Sequence, residues 1–403
     1  MPEAPSLTVR SLPPPQERQT IIGWVYRNLF STWYNTLLTI LGLGLIYFIL
    51  KPFLIWVLIK ARWEIISVNF RLLMVGQYPT SELWRVWLCL YLLTALFGLS
   101  WGIWVRRRSP VVMILLLVPV LFLFYQPLSL ASRLRLLGFD LVALAAFAVG
   151  RLRGVRLRRL VTILWVLYFP FVIFIVHGWS ALGKWLPVVP TNLWGGLLLT
   201  FLLTIVGIAF SFPLGVLLAL GRRSRLPAVR FASIFYIEVI RGVPLVTILF
   251  MASVMVPLFL SGGTPPDRVL RAMIGITLFT AAYLAENVRG GLQAIPIGQY
   301  EAAYALGLNG FQTMFLIILP QALRTVIPVI MGLFIALYKD TSLVVIIGLL
   351  ELLGITRSIL AQPQFVGYQR EAYLFISLIY WVFCYIMSYL SRRLEAALGV
   401  GER

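Results

Sequence analysis

Runs of roughly 18 to 25 mostly apolar residues recur along nearly the whole chain, and no other feature limits its fold so tightly. A hydrocarbon layer ~30 Å thick demands about this length of a helix that crosses it. Of the 403 residues, 61% are hydrophobic, whereas a soluble domain has about 45–50%. The sequence therefore predicts an all-α polytopic membrane protein with no room for a large soluble domain.

A formal charge of +20 raises the question of nucleic acid. The placement of the charges answers it. Arg106 to Arg108, the run Arg151, Arg153, Arg156, Arg158, Arg159, and the group Arg222, Arg223, Arg225 lie in short gaps between apolar runs. That is the pattern that orients membrane helices, with basic loops on the cytoplasmic side. Cys89 and Cys384 fall inside apolar runs, and His177 is the sole histidine, so neither a disulfide framework nor a metal cluster is expected. The first 20 residues are polar and Pro-rich, and residues 1–32 read as a disordered cytoplasmic tail.

About ten spans are expected, near 35–59, 86–105, 111–130, 136–150, 161–178, 193–220, 231–260, 269–288, 312–337 and 372–390. The fourth is short and carries Asp140; paired with the third as a re-entrant hairpin it would leave eight crossings. An even number puts both termini on one side, and assigning that side to the cytoplasm places the dense arginine clusters inside. Three outer segments exceed simple turns. Residues 60–85 suggest an interfacial helix, and 179–194 a Trp-rich connector that Pro187 and Pro190 keep from being one helix. Residues 338–371 hold an apolar run too short to span. The chain thus divides into 1–32, additional helices over 33–190, a core over 191–395, and a tail over 396–403. Spans before 190 are mostly Leu, Val and Trp; those after carry Gly, Pro and charges, which are costly within a bilayer and mark the working half.

One polar stretch in that half stands out. "EAAYALGLNGFQTMFLIILP", Glu301 to Pro320, reads as a helix, a turn at Gly307, and a second helix that stops or kinks at Pro320. Ala302, Ala303 and Ala305 leave a smooth face another protein can approach. Glu301 either caps the helix start or pairs with a basic residue of a partner. The spacing of Glu301, Ala302, Ala303, Gly307, Ile317, Leu319 and Pro320 resembles the EAA loop of permease subunits of bacterial ATP-binding-cassette (ABC) importers. "YLAENVRGGLQAIPIGQYEAA", "LPQALRTVIP" and "YKDTSL" resemble the branch that carries polar amino acids. The earlier segment is similar to longer permeases of the general L-amino acid subgroup. The resemblance implies a C-terminal five-span core of type I importer fold. It also implies that the EAA loop, 298–320, forms a coupling helix docking in a groove of a separate ATPase. No G-x-x-x-x-G-K-[ST] occurs in the chain; ATP and magnesium are expected on that partner, with no cofactor here.

Further charged groups in this half are candidates for roles in transport. In "EVIRGVPLV", Glu238 and Arg241 lie three apart, before Gly242 and Pro244, which can open a membrane helix. Arg241 suits a substrate carboxylate, unless Glu238 pairs with it. The family's usual Thr before that Pro is Val243. In Lys339-Asp340-Thr341-Ser342, Asp340 can accept from an ammonium while the other three donate to a carboxylate; a solvated, self-neutralising loop is the plainer reading. Glu286 and Arg289 are expected to pair and fix the approach to the EAA loop. The whole predicts a non-enzymatic inner-membrane permease for polar L-amino acids, both termini cytoplasmic. It would work with a second permease, two ATPases and a periplasmic binding protein. An ion-gradient-driven transporter or channel is the main alternative, and a membrane enzyme a weaker one, since no catalytic set can be assembled.

Overall fold

A computed structural model describes residues 21–104, 130–183, 185–259 and 266–399. The chain divides into two units, Met1–Trp63 and Glu64–Arg403. In the first, α1 (Ile21–Leu29) precedes α2 (Trp33–Ile55). Thr32 caps α2, accepting from the Asn35 N–H, and the helix runs on as a π turn over Trp56–Lys60. None of its side chains is buried within the unit, and it is apolar on every side, as a helix facing lipid is.

The second unit holds α3 (Glu64–Val75), α4 (Leu83–Trp104), α5 (Leu130–His177), α6 (Gly196–Arg222), α7 (Pro227–Arg241), α8 (Leu245–Phe259), α9 (Arg268–Gln293) and α10 (Ile297–Ala305). These are followed by α11 (Leu319–Asp340), α12 (Leu352–Leu360) and α13 (Gln369–Leu398). No β-strand longer than an isolated bridge occurs among the described residues.

Among the described residues, seven helices are long and apolar enough to cross a membrane, or eight if α7 and α8 count as one broken span bent by 106°. This is fewer than the ten expected. The expected span at 111–130 lies almost wholly outside the described residues. That at 136–150 is the first arm of α5, continuous with the span that follows. The run Arg151 to Arg159 is therefore helix, not loop, and the chain bends within it at Arg153 (φ −118°, ψ 16°). Arginine is a good helix former, and these described guanidiniums reach solvent, so the cluster does not end the helix.

Close backbone contact fixes that arm. A side chain at Gly98 would meet the Ala143 carbonyl at 2.5 Å, at Gly102 the Phe147 carbonyl at 2.4 Å, and at Gly150 the Leu99 carbonyl at 2.6 Å. Such small-residue seams let membrane helices pack without a hydrophobic drive between them. Tyr91 adds a stack on Phe139, with ring centres 4.5 Å apart, and a 2.7 Å bond to the Arg135 carbonyl.

At one end of the second unit the expected outer segments knit together. Residues 60–85 contain α3, whose Ile65, Ile66 and Leu73 are buried with Leu352, Ile355 and Ile376. Its apolar face packs against α12 and α13. Arg85 is fully buried. It pairs with Glu82 at 2.8 Å and donates to the Pro187 carbonyl at 2.9 Å, so the connector over 179–194 is bound to the start of α4. Tyr78 joins the same end, donating to the Val176 carbonyl at 2.8 Å. Burial pushes its hydroxyl pKa up to about 12. The connector forms short turns, Ser180–Leu182 and Thr191–Leu193, in place of a continuous helix. The apolar run at 341–347 extends α11 as a 3-10 turn ending at Gly348 (φ +77°).

Candidate functional site

The opposite end is organised by the Glu301–Pro320 stretch. Pro296 starts α10, so Glu301 stands in its second turn, past the N–H groups a cap would serve. Its side chain is exposed and has no hydrogen bond or ion pair among the described residues. Self-capping is thereby removed as a role. Ala303 is buried and anchors the helix, while Ala302 and Ala305 are exposed, so the smooth face divides between core and solvent.

The turn is closed from both sides. Leu308 N–H reaches the Ala303 carbonyl at 3.2 Å and Gly307 N–H the Tyr304 carbonyl at 2.9 Å, the paired bonds of a Schellman stop. Gly307 holds φ +78°, a conformation a Cβ would strain. Asn309 and Gln312 then form a reciprocal capping box, at 2.9 and 3.0 Å, for the next helix. The second helix does not stop at Pro320. A π turn over Thr313–Ile318 leads into α11 with Pro320 in its first turn, where the missing N–H costs little. Leu319 is buried and Pro320 exposed. Leu306 and Phe311, exposed at 80% and 70%, project from the turn and are not among the residues expected from sequence. Their signal was two large apolar residues flanking a Gly/Asn turn. Gln299 and Gln321 join α10 to α11 at 3.1 Å.

Beside the turn lies a charge cluster. Glu286 accepts from Arg289 and from Arg222 at 3.2 Å, and lies in ion-pair range of Arg241 at 3.6 Å. The expected Glu286–Arg289 pair is present, within a wider network. Glu238 pairs with Arg222 at 3.0 Å, not with Arg241. The reason is the end of α7: the backbone breaks after Arg241, and the guanidinium turns to α9, over the Tyr283 ring at 5.6 Å. Its Nε is buried without a hydrogen-bond partner. Arg223 links this level to the turn, reaching Tyr300 at 3.2 Å.

The 339–342 group sits elsewhere. Gly291 of α9 abuts the Ala322 carbonyl, where an added Cβ would come to 2.6 Å. From Ala322 to Asp340 is 18 residues of helix, a rise of about 27 Å. Arg241 and Asp340 are thus near opposite ends and form two stations, not one pocket. Thr341 is fully buried and donates to the Tyr338 carbonyl at 2.7 Å, so its hydroxyl is already engaged. Lys339 is exposed, while Asp340 and Ser342 are half-buried. No direct ion pair joins Lys339 to Asp340 among the described residues. Just beyond lies a carboxylate the sequence reading did not single out. Glu351 is fully buried and caps α12, accepting at 2.8 Å from both Leu353 and Gly354 N–H, and from the Tyr380 hydroxyl at 3.0 Å.

These features define a polytopic membrane subunit with an exposed, rigidly capped helical turn at one end. Residues 211–400 match the family described as binding-protein-dependent transport system inner membrane component. Over 395 residues the chain is 38% identical to the Inner membrane amino-acid ABC transporter permease protein YhdY of Escherichia coli (strain K12), covering 94% of this chain and 93% of that one. It is 37% identical over 435 residues to the Glutamate/glutamine/aspartate/asparagine transport system permease protein BztC of Rhodobacter capsulatus, covering 97% and 96%. The Probable glutamine ABC transporter permease protein GlnP of Bacillus subtilis is 36% identical over 203 residues, 50% of this chain and 92% of its own length. The chain belongs to the binding-protein-dependent transport system inner membrane component family, as an ABC transporter permease. It is a transport subunit, and ATP hydrolysis belongs to a separate one.

Proposed function

We propose that this permease moves polar L-amino acids inward across a bacterial inner membrane, both termini cytoplasmic, with the EAA loop as the site where the ATPase docks. The carrying observation is the doubly capped turn, with an unpartnered Glu301 and projecting Leu306 and Phe311. A rigid turn transmits displacement rather than absorbing it, and Glu301 is left to pair with a partner. The arginines at 222, 223 and 225 stand at the same end, supporting its assignment to the cytoplasm.

Two ATPase subunits, holding ATP and magnesium, would dock on this chain and on a second permease. A periplasmic binding protein would dock on the opposite end, at residues 179–192, 261–268 and 338–371, of which 261–265 lie outside the described residues. Closure of the ATPases would rock the two permeases and open the path alternately to each side. The core over 191–395 would suffice for this; GlnP, matched along half of this chain, supports a self-contained core. The helices before 190 would stabilise it through α3 and the buried Arg85.

The cargo reading rests on the names of the relatives and on zwitterion chemistry. Asp340 would accept from the ammonium, and Lys339 and Ser342 would donate to the carboxylate, with Thr341 holding the α11 end in shape. Arg241, with an unused N–H, would receive the carboxylate nearer the cytoplasm. Uptake of radiolabelled glutamate, glutamine and arginine by cells carrying the full transporter tests this. Arg241→Ala and Asp340→Asn should each cut uptake at least tenfold, on the order of one lost charge-assisted contact, with the complex still assembled. Full uptake in both would remove these residues from the path.

A further inference from the structure

We propose that the pocket between α6 and α7 holds the headgroup of an anionic phospholipid, with an acyl chain lying along α7. The pocket measures 460 Å³, and its lining joins Arg223, Ser224, Arg225 and Arg230 with the apolar Phe231 and Ile234. Arg225 and Arg230 are exposed and have neither ion pair nor hydrogen bond among the described residues. Arg223 is partly engaged, donating to the Leu292 carbonyl and to Tyr300. Ser224 Oγ accepts from the Leu226 N–H at 3.1 Å, which leaves its proton to donate into the pocket. Nearby acids do not neutralise this socket: Glu238 and Glu286 are committed to Arg222, Arg241 and Arg289.

An apolar track leaves the socket. Phe231, Phe235 and Val239, spaced by four, are 70%, 60% and 45% exposed, and the two rings stack with centres 6.1 Å apart. The other face of α7 is the packed one, with Ser233 and Ile237 buried. The chain turns by 106° between α7 and the apolar α8; the proposal takes the broken pair to lay α7 along the boundary between bilayer and water, with α8 entering the bilayer. A surface with a cationic socket at one end and an exposed aromatic stripe running from it fits a molecule of the same division. A free anion would leave the stripe unused, and a zwitterionic lipid would leave the arginine charge uncompensated. Basic pockets at helix ends recognise anionic headgroups in this way. The proposal rests on the membrane placement of α7 and not on the cargo, so either can fail alone.

The test uses the full chain purified in mild detergent, with phosphatidylglycerol and phosphatidylcholine of matched acyl chains at equal concentration, read by native mass spectrometry. Phosphatidylglycerol adducts should dominate. Arg225→Ala and Arg230→Ala should each lower them about fivefold, Phe231→Ala should lower them too, and Arg153→Ala, which is not in the pocket lining, should not. Equal retention of both lipids, or an equal loss from Arg153→Ala, would overturn the proposal. So would displacement by inorganic phosphate with no effect of Phe231→Ala, which would mark a site for a free anion. Loss of ATPase capture in the double arginine variant with lipid adducts intact would mark a protein surface and also overturn it.

Discussion

Two residues carry much of what the structure adds. Glu351 is surrounded by three donors, yet burial outweighs them and pushes its carboxyl up to about 7 from an ordinary 4.5. The fold therefore favours the protonated form. That contribution is complete below about pH 4.5 and is lost as pH rises toward 7, a swing of roughly 3 kcal/mol. Thermal unfolding of the purified chain should thus fall between pH 5 and pH 7.5. Glu351→Gln, which keeps an acceptor for the α12 cap, should flatten the slope; an unchanged slope would assign it to another group. Gly307 is the second residue. Its φ of +78° with open space around it makes the conformation, not crowding, the constraint. Gly307→Val should cost about 1–2 kcal/mol at the turn. Coupled ATPase activity of the assembled transporter should drop more than the melting temperature of the chain.

At the scale of elements, the seams between helices decide what the sequence could and could not disclose. The spans were legible because each is a run of apolar residues long enough for the bilayer. The turn at Gly307 was legible too, since glycine there has a local conformational meaning, whereas Pro320 misled because proline also suits a helix start. The bend at Arg153 was not, because arginine serves both as a membrane boundary and as a helix former. The charge cluster was half legible: Glu286 and Arg289 sit one turn apart, but Arg222 and Arg241 arrive from other helices. Arg85 reads as a surface charge in sequence, and its carbonyl partners lie about a hundred residues on, at Ile175 and Pro187. The seam of Gly98, Gly102 and Gly150 is likewise a product of tertiary contact. Gly102→Leu should detach the first arm of α5 from α4, read as faster proteolysis near residue 130. If transport survives, the N-terminal helices serve stability alone. Gly42→Leu, in α2 with nothing near it, should change neither.

At the scale of the whole molecule, the two ends of the second unit have different work. One end is tied by the buried Arg85, Tyr78 and Glu351, and the other presents a rigid turn backed by paired charges. In the account proposed above, the first end would seat a delivering protein and the second would act as the lever. The most direct measurement is co-purification of the cognate ATPase with the tagged full chain, run alongside amino acid uptake. The account predicts that the wild-type chain captures the ATPase. It also predicts that Glu301→Lys combined with Gly307→Asp loses both capture and uptake, while the chain still reaches the membrane in normal amount. Capture and uptake both intact in that variant would contradict the claim that force enters this protein through the Glu301–Pro320 turn.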